Sequence, residues 1–385
     1  GCKMIAPKLR FSEFKDEWIE LSLKEYYSKI RNGFVGVATP FYVENGIKYL
    51  QGKNIKDGKI DPKGLIYISE DFHHKKNNSQ LKQNDILMVQ SGHVGECAVV
   101  TQDYENANCH ALIILSPDHN EKVNSHFVVY YFYSHYGKKR ISEIKTGNTI
   151  EHVLASEIKE VTLNFPTPKE QTKIAEFLSA VDDKISQLSR QLELLNQYKK
   201  GVMQKIFSQE IRFKNENGED FGEWVDGTLG DVTTLVSRRN KNDINAEIYS
   251  VTNSQGFVKQ NEFFEDRRVA GEDTSNYKII YKNEFAYNPA RINVGSIALF
   301  DKEEIGIISS LYVCFQANQN VSLQFLNQFL NWEKTIQNYS LYGEGGVRIY
   351  LWYPLFSKIP FSYPIIQEQE KIAEFLTAID ERIDH

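Results

Sequence analysis

Three places in this sequence carry residue types at spacings that could do chemistry. Pro117-Asp118 followed by Glu143-Ile144-Lys145 fits the loose Pro-Asp…Glu-x-Lys pattern of metal-dependent nucleases. There, two carboxylates share a magnesium ion and a lysine stands beside the attacking water. The pattern is permissive: Glu157-Ile158-Lys159 fits its second part equally well, and the second half of the chain has no counterpart. Asn288-Pro289-Ala290-Arg291 approaches the Asn-Pro-Pro-aromatic motif of amino-methyltransferases. It lacks the second proline and the aromatic ring that would stack the target base, and no glycine-rich loop for a methyl donor precedes it. His73 and His74 are adjacent, so on a strand they would point to opposite faces, which disfavours joint metal ligation. There is no Walker motif and no nucleophile elbow. The chain reads as non-catalytic, with no metal and no cofactor of its own.

The elements that would position any functional residue are set out by a repeat. Glu170-Gln171-Thr172-Lys173-Ile174-Ala175-Glu176-Phe177-Leu178-Ser179-Ala180-Val181-Asp182 returns 198 residues later, beginning at Glu368-Gln369, with ten of thirteen positions identical. Leu9-Arg10-Phe11, Trp18 and Leu23 are echoed by Ile211-Arg212-Phe213, Trp224 and Leu229. Val94-Gly95 answers Val294-Gly295, and Gly147 and Pro166 answer Gly345 and Pro364. The interiors between these anchors have diverged. A tandem duplication with constant edges implies a pseudo-two-fold molecule.

After Pro166 and Pro168, nothing breaks a helix until Gly201. Ile174, Leu178, Val181, Ile185, Leu188, Leu192, Leu195, Val202 and Ile206 follow alternating four- and three-residue steps, with Lys199 the one polar residue on that seam. This heptad pattern predicts a coiled-coil spacer helix. Its second copy starts alike but stops at His385, which reads as a truncation of the part matching Leu188 to Phe207. The lack of an initiator Met before Gly1 suggests processing or a cloning remnant. The expected segments are a globular half over 1–165, a spacer helix over 166–208, a second half over 209–363 and the start of a second helix over 364–385. Short strands at 47–50, 64–68, 85–89 and 111–115 make each half α/β (α+β). Residues 123–136 are ambiguous between helix and strand, whereas 323–339 read as helical.

At 385 residues and 41% hydrophobic content, the chain is long enough for two cores. Four cysteines without CxxC spacing argue against a zinc ribbon or a disulfide framework and for a reducing cytoplasm. No signal peptide or membrane-length apolar run is visible. The net charge of −6 is uneven: residues 12–25, 209–226 and 367–385 carry −3, −4 and −4, leaving +5 on the remainder. Alone, such a chain should bind DNA weakly, because phosphate neutralisation supplies much of the affinity.

The order of parts resembles the specificity subunit of type I restriction–modification enzymes over essentially the whole chain. The resemblance rests on Glu170-Gln171-x-Lys173-Ile174-Ala175 after Pro166-x-Pro168, and on its second copy at Glu368 after Pro364. It rests also on Leu9-Arg10-Phe11…Trp18 and on Asn288-Pro289-x-Arg291-Ile292-Asn293-Val294-Gly295. The second repeat lacks a counterpart of Pro168. The resemblance implies a DNA-reading scaffold in which each globular half is a target recognition domain for one half of a bipartite, asymmetric site. The spacer helices would pack antiparallel and dock two modification (methyltransferase) subunits that methylate adenine at N6. Restriction subunits would add translocation and cleavage. S-adenosylmethionine, ATP and magnesium would belong to those partners. The 33 residues from Ile174 to Ile206 would span about 50 Å as a helix, against roughly 34 Å for one turn of B-DNA.

Reading base edges needs Arg, Lys, Asn, Gln, Ser or Thr on loops. The candidates are Gln51, Lys53 and Asn54; Gln90, Ser91 and His93; and Asn148, Thr149 and His152 in the first half. In the second half they are Arg238, Asn253, Ser254, Tyr287, Arg291, Asn293 and Arg348. Arg291 and Arg348 are the sharpest, because a bidentate arginine–guanine contact is the commonest specific one. Lys184, Gln187 and Gln191 on the spacer helix are candidates for partner docking. Two other readings remain open at this point: a coiled-coil organiser without sequence readout, and a metal-dependent nuclease using Asp118.

Overall fold

A computed structural model describes residues 7–117, 122–147, 151–242, 244, 246–260, 274–346 and 349–384. The chain divides into two compact units, Gly1–Gln187 and Leu188–His385.

The first unit is built on a four-stranded sheet in the order Lys29–Asn32, Leu112–Ser116, Ile86–Val89, Cys97–Val99, with all neighbours antiparallel. Ile86–Val89 is buried at every residue, so its two faces pack against two different clusters. Ile86 and Met88 join Phe127, Phe132 and Ile158, while Leu87 and Val89 join Leu50, Ile55 and Ile114. Strand alternation thus divides one apolar run between two cores. A second sheet carries Ile47–Leu50 between Asn108–Cys109, a parallel neighbour, and Ile66–Ile68. The fold is mixed α/β with mainly antiparallel pairing.

The ambiguous stretch at 123–136 is helical, as Ser125–Tyr133 followed by His135–Ile144. Polar caps decide this. The Asn124 side chain accepts from the Phe127 backbone N–H, and the Ser134 side chain accepts from that of Gly137. A Cβ at Gly137 would lie 2.1 Å from the Tyr131 carbonyl oxygen, so the corner between the two helices demands glycine.

The second unit repeats the plan. Its four-stranded sheet runs Thr233–Val236, Val313–Ala317, Phe285–Tyr287, Ile297–Leu299, again wholly antiparallel. Ile248–Thr252 takes the place of Ile47–Leu50 and likewise has one parallel neighbour, Ile305–Ile308. Helices Leu323–Leu330 and Glu333–Tyr342 stand where 323–339 was expected to be helical.

The spacer helix is continuous over Pro168–Phe207, running through Gly201. Within the second unit its last turns enter the core: Met203, Ile206 and Phe207 are buried with Ile372, Leu376 and Ile379 of the repeat helix Ile366–Asp384. Arg212 pairs with Glu368 while Lys199 pairs with Asp380, so these two helix segments run antiparallel. Farther up the heptad seam, Val181, Ile185, Leu188 and Leu192 are 40–56% exposed. No helix among the described residues is long and apolar enough to cross a membrane.

Candidate nucleic-acid interface

The repeated tract is, at residue level, a buried polar joint between spacer helix and globular unit. Glu170 is fully buried, and its two carboxylate oxygens accept from Arg10 Nε at 2.6 Å and Nη2 at 2.7 Å. In the second unit, Glu368 accepts from Arg212 Nε at 2.8 Å and Nη2 at 2.7 Å. Each arginine also donates to a backbone carbonyl, of Asp16 or of Gly222. The neighbouring glutamines repeat their bonds too. Gln171 Oε1 accepts from Asn124 N at 2.9 Å, and its Nε2 donates to the carbonyls of Lys122 and Pro166. Gln369 does the same with Ser322 N and the carbonyls of Asn320 and Pro364. Bidentate charge-assisted bonds have narrow geometry, and a buried amide must be satisfied. These two residues therefore fix the helix root against the segment carrying Arg10 or Arg212, the exit proline, and the N-cap of the helix Ser125–Tyr133 or Leu323–Leu330.

With each unit so anchored, three segments converge at the edge of its sheets. In the first unit these are 51–54, 90–96 and the described residues 144–147 and 151–153. Gly52, next to Gln51, is close enough that an added Cβ would touch Val89, just before the second segment. Val153 N donates to Gln90 O at 2.9 Å and Gly92 N to Glu151 O at 3.2 Å, while Ser91 and His152 form an antiparallel bridge. Gly92 and Gly95 have φ of +81° and +95°, so the 90–96 loop turns where a side chain would be strained. The Glu96 carboxylate braces that loop, accepting from Tyr133 Oη at 2.7 Å and Asp57 N at 2.9 Å. Burial, then the nearby Cys97 and the bond to Glu96, push the Tyr133 hydroxyl well above its usual range, so it stays a donor.

The second unit brings together 253–255, 288–296 and the described residues 343–346 and 349–352. Ser296 Oγ donates to Val251 O, and a Cβ on Gly295 would lie 3.8 Å from that of Asn253. Leu351 N donates to Pro289 O at 3.0 Å, matching the Val153–Gln90 bond. The bridge Glu344–Tyr350 matches Thr146–His152, and Gly345 and Gly147 both have positive φ. Asn288, in the segment that approaches but does not complete the methyltransferase motif, accepts the Ala290 N–H with its side-chain oxygen. The motif is a turn.

The convergence sorts the sequence candidates. Lys53, Ser91, His93, His152, Asn253, Ser254 and Arg291 are exposed on these segments, and Gln51, Gln90 and Asn293 are half-buried there. Gln51 Nε2 donates to Tyr42 Oη, and the His152 ring is within 3.1 Å of Thr146 Oγ1. Three candidates are corrected. Asn54 is fully buried, holding Gln51 N and the carbonyls of Asp61 and Lys63. Tyr287 is fully buried, stacked on Phe356. Arg238 is committed to the buried Glu284, with both carboxylate oxygens within 2.9 Å of its Nη1, and lies over the Tyr281 ring. Asn148, Thr149 and Arg348 lie outside the described residues, as does Asp118 of the nuclease-like pattern. Lys184, Gln187 and Gln191 are exposed along the spacer helix. Sequence reasoning passed over Leu154, Tyr350 and Trp352, which are exposed beside these loops. Their signal was equal spacing: His152 and Tyr350 follow Gly147 and Gly345 by five residues, and Leu154 and Trp352 by seven.

A duplicated domain, a buried Arg–Glu and Gln joint in each copy, and matching loop clusters on divergent interiors define the architecture. The pattern of the type I restriction modification DNA specificity domain matches residues 15–197 and 222–385. The chain belongs to that family. Among similar proteins of the type I restriction modification DNA specificity family is the MjaVIII specificity subunit of Methanocaldococcus jannaschii, 26% identical over 214 residues. That match covers 54% of this chain and 50% of the relative. The putative MjaX specificity subunit of the same organism is 27% identical over 235 residues, covering 58% and 54%. The matched region is thus about half the length of these relatives. The fold is that of a type I restriction–modification S subunit from M. genitalium, with a TM-score of 0.61 at 17% identity, covering 98% of this chain and 93% of the other.

Proposed function

We propose that this chain is the DNA sequence-reading subunit of a type I restriction–modification complex. The observation that carries the reading is the paired loop clusters. Two units share a backbone plan and a joint, yet present different side chains at equivalent places: Ser91 and His93 in one, Arg291 and Asn293 in the other. Equivalent frames with unlike reading residues fit a bipartite, asymmetric site with one unit per half-site. The specificity family and the named relatives support the same reading.

In this reading the spacer helix sets the gap between half-sites, its exposed heptad face takes part in a coiled coil, and Lys184, Gln187 and Gln191 face the modification subunits. The chain itself is non-catalytic. Its methyltransferase partners supply the adenine-N6 chemistry with S-adenosylmethionine, and restriction subunits supply ATP- and magnesium-dependent translocation and cleavage. The test is the methylation pattern of DNA from cells carrying this chain with its modification subunits. A split N6-methyladenine motif with a fixed gap, changed in one half by substitutions in one loop cluster, is the expected result. Methylation with no motif, or none despite active partners, would leave the coiled-coil organiser as the better reading.

A further inference from the structure

Beside the reading loop of the second unit stands an aromatic pair that folding does not bury. Trp352 is 46% exposed and Tyr350 39% exposed, their rings 6.5 Å apart and within 11° of parallel. Between them Leu351 is fully buried, and its N–H is bonded to Pro289 O in the loop that carries Arg291. Trp352 caps the short helix Tyr353–Phe356, whose Phe356 is also fully buried. The pair is therefore held on a rigid base, so little conformational freedom is left to lose on contact. The first unit places an exposed apolar residue at the equivalent position. Leu154, 50% exposed, caps Ala155–Glu160 and follows Val153, which is bonded to Gln90 O.

The local fold covers these side chains only in part, so about half of the Trp352 surface is left uncovered beside the polar loops. What they offer a duplex is apolar surface. In the major groove the one apolar feature of a base edge is the thymine C5-methyl group. We propose that Trp352, with Tyr350, packs against thymine methyl groups of the half-site read by the second unit, and that Leu154 makes the smaller equivalent contact in the first. This makes them specificity-determining residues that work by packing, next to hydrogen-bonding Arg291. The inference rests on the DNA-reading function proposed above.

The test uses the complete chain assembled with its modification subunits, on duplexes carrying the methylation motif. Each thymine in turn is replaced by deoxyuridine, which removes the methyl and keeps base pairing. Losing one buried methyl corresponds to about a fourfold weakening. We expect wild-type binding to fall by about that factor at one or two positions of one half-site. The Trp352→Ala complex should bind the thymine duplex correspondingly less well and be indifferent to deoxyuridine there; Trp352→Leu should keep part of the sensitivity. Leu154→Ala should act only on the other half-site. Wild-type complex that prefers its motif but ignores every deoxyuridine would overturn the inference, as would a Trp352→Ala complex with unchanged deoxyuridine sensitivity. Failure of the Trp352→Ala chain to assemble with its modification subunits would overturn the inference and reassign the pair to a protein contact. Wild-type complex that fails to distinguish the motif from scrambled DNA would instead overturn the DNA-reading function.

Discussion

Substituting Gln171 by Leu tests the idea that the repeated tract is a joint. The change keeps side-chain bulk but removes three hydrogen bonds, to Asn124 N at 2.9 Å, Lys122 O at 3.2 Å and Pro166 O at 3.0 Å. The partners stay behind as backbone groups beside a fully buried side chain. At about 1 kcal/mol for each bond, the loss is about 3 kcal/mol, and more where the stranded groups cannot reach water. For a unit of this size that corresponds to roughly 6–12 °C in unfolding midpoint. Hydrogen–deuterium exchange would localise it. Peptides over 122–130 and 162–178 should exchange on the order of 100-fold faster, while those over 360–376 keep wild-type protection. Gln369→Leu should give the mirror image. Gln171→Glu should be worse than Leu at pH 7, since a carboxylate faces two carbonyls with no proton to donate. Its folded-state pKa would be raised, so the defect should shrink as pH falls. A midpoint change within 1 °C, or equal loss of protection in both units, would refute the joint.

Arg291→Ala should relax the methylation motif at one base pair, with a loss near tenfold against the cognate base, read by sequencing. By contrast, Arg238→Ala strands the buried Glu284 and should lower the unfolding midpoint by several degrees while the motif stays the same. An altered motif would restore Arg238 as a reader. Asp85 is buried, and burial, opposed by bonds from Ser116 and Lys82 and by nearby Arg31, raises its pKa. The folded chain then holds that proton more tightly than the unfolded chain. The wild type should gain stability relative to Asp85→Asn as pH falls through the folded-state pKa, and a pH-independent difference in denaturant midpoints would contradict this. Burial pushes the Cys314 thiol up to about 12 and raises those of Cys97 and Cys109 further. These three should resist a thiol reagent at pH 8 until the protein unfolds, and rapid labelling of any of them in the native state would count against its burial.

The duplication, the long helix, the strands at 47–50 and 85–89 and the helical state of 323–339 are legible in the sequence alone; the second strand starts one residue later, at Ile86. These are local signals: a repeated string, a 3.5-residue period, a short apolar run between turn residues. Local signals also misled where partners decide. Asn54, Arg238 and Tyr287 look like readers in a list of polar loop residues. Burial within the unit, Glu284 and Phe356 respectively occupy them, and those partners lie far away in sequence or in packing that no pattern records. The repeated tract was read as the start of a heptad seam. Its most constrained members, Glu170 and Gln171, are instead held by Arg10, 160 positions earlier, and by Asn124, 47 positions earlier. The spacing of Tyr350 and Trp352 from Gly345 is legible in the sequence, but their exposure is not, because exposure is set by what the rest of the chain fails to cover. Composition and periodicity report what each residue prefers; only tertiary packing decides which preferences are met inside the unit and which side chains remain free to meet something else.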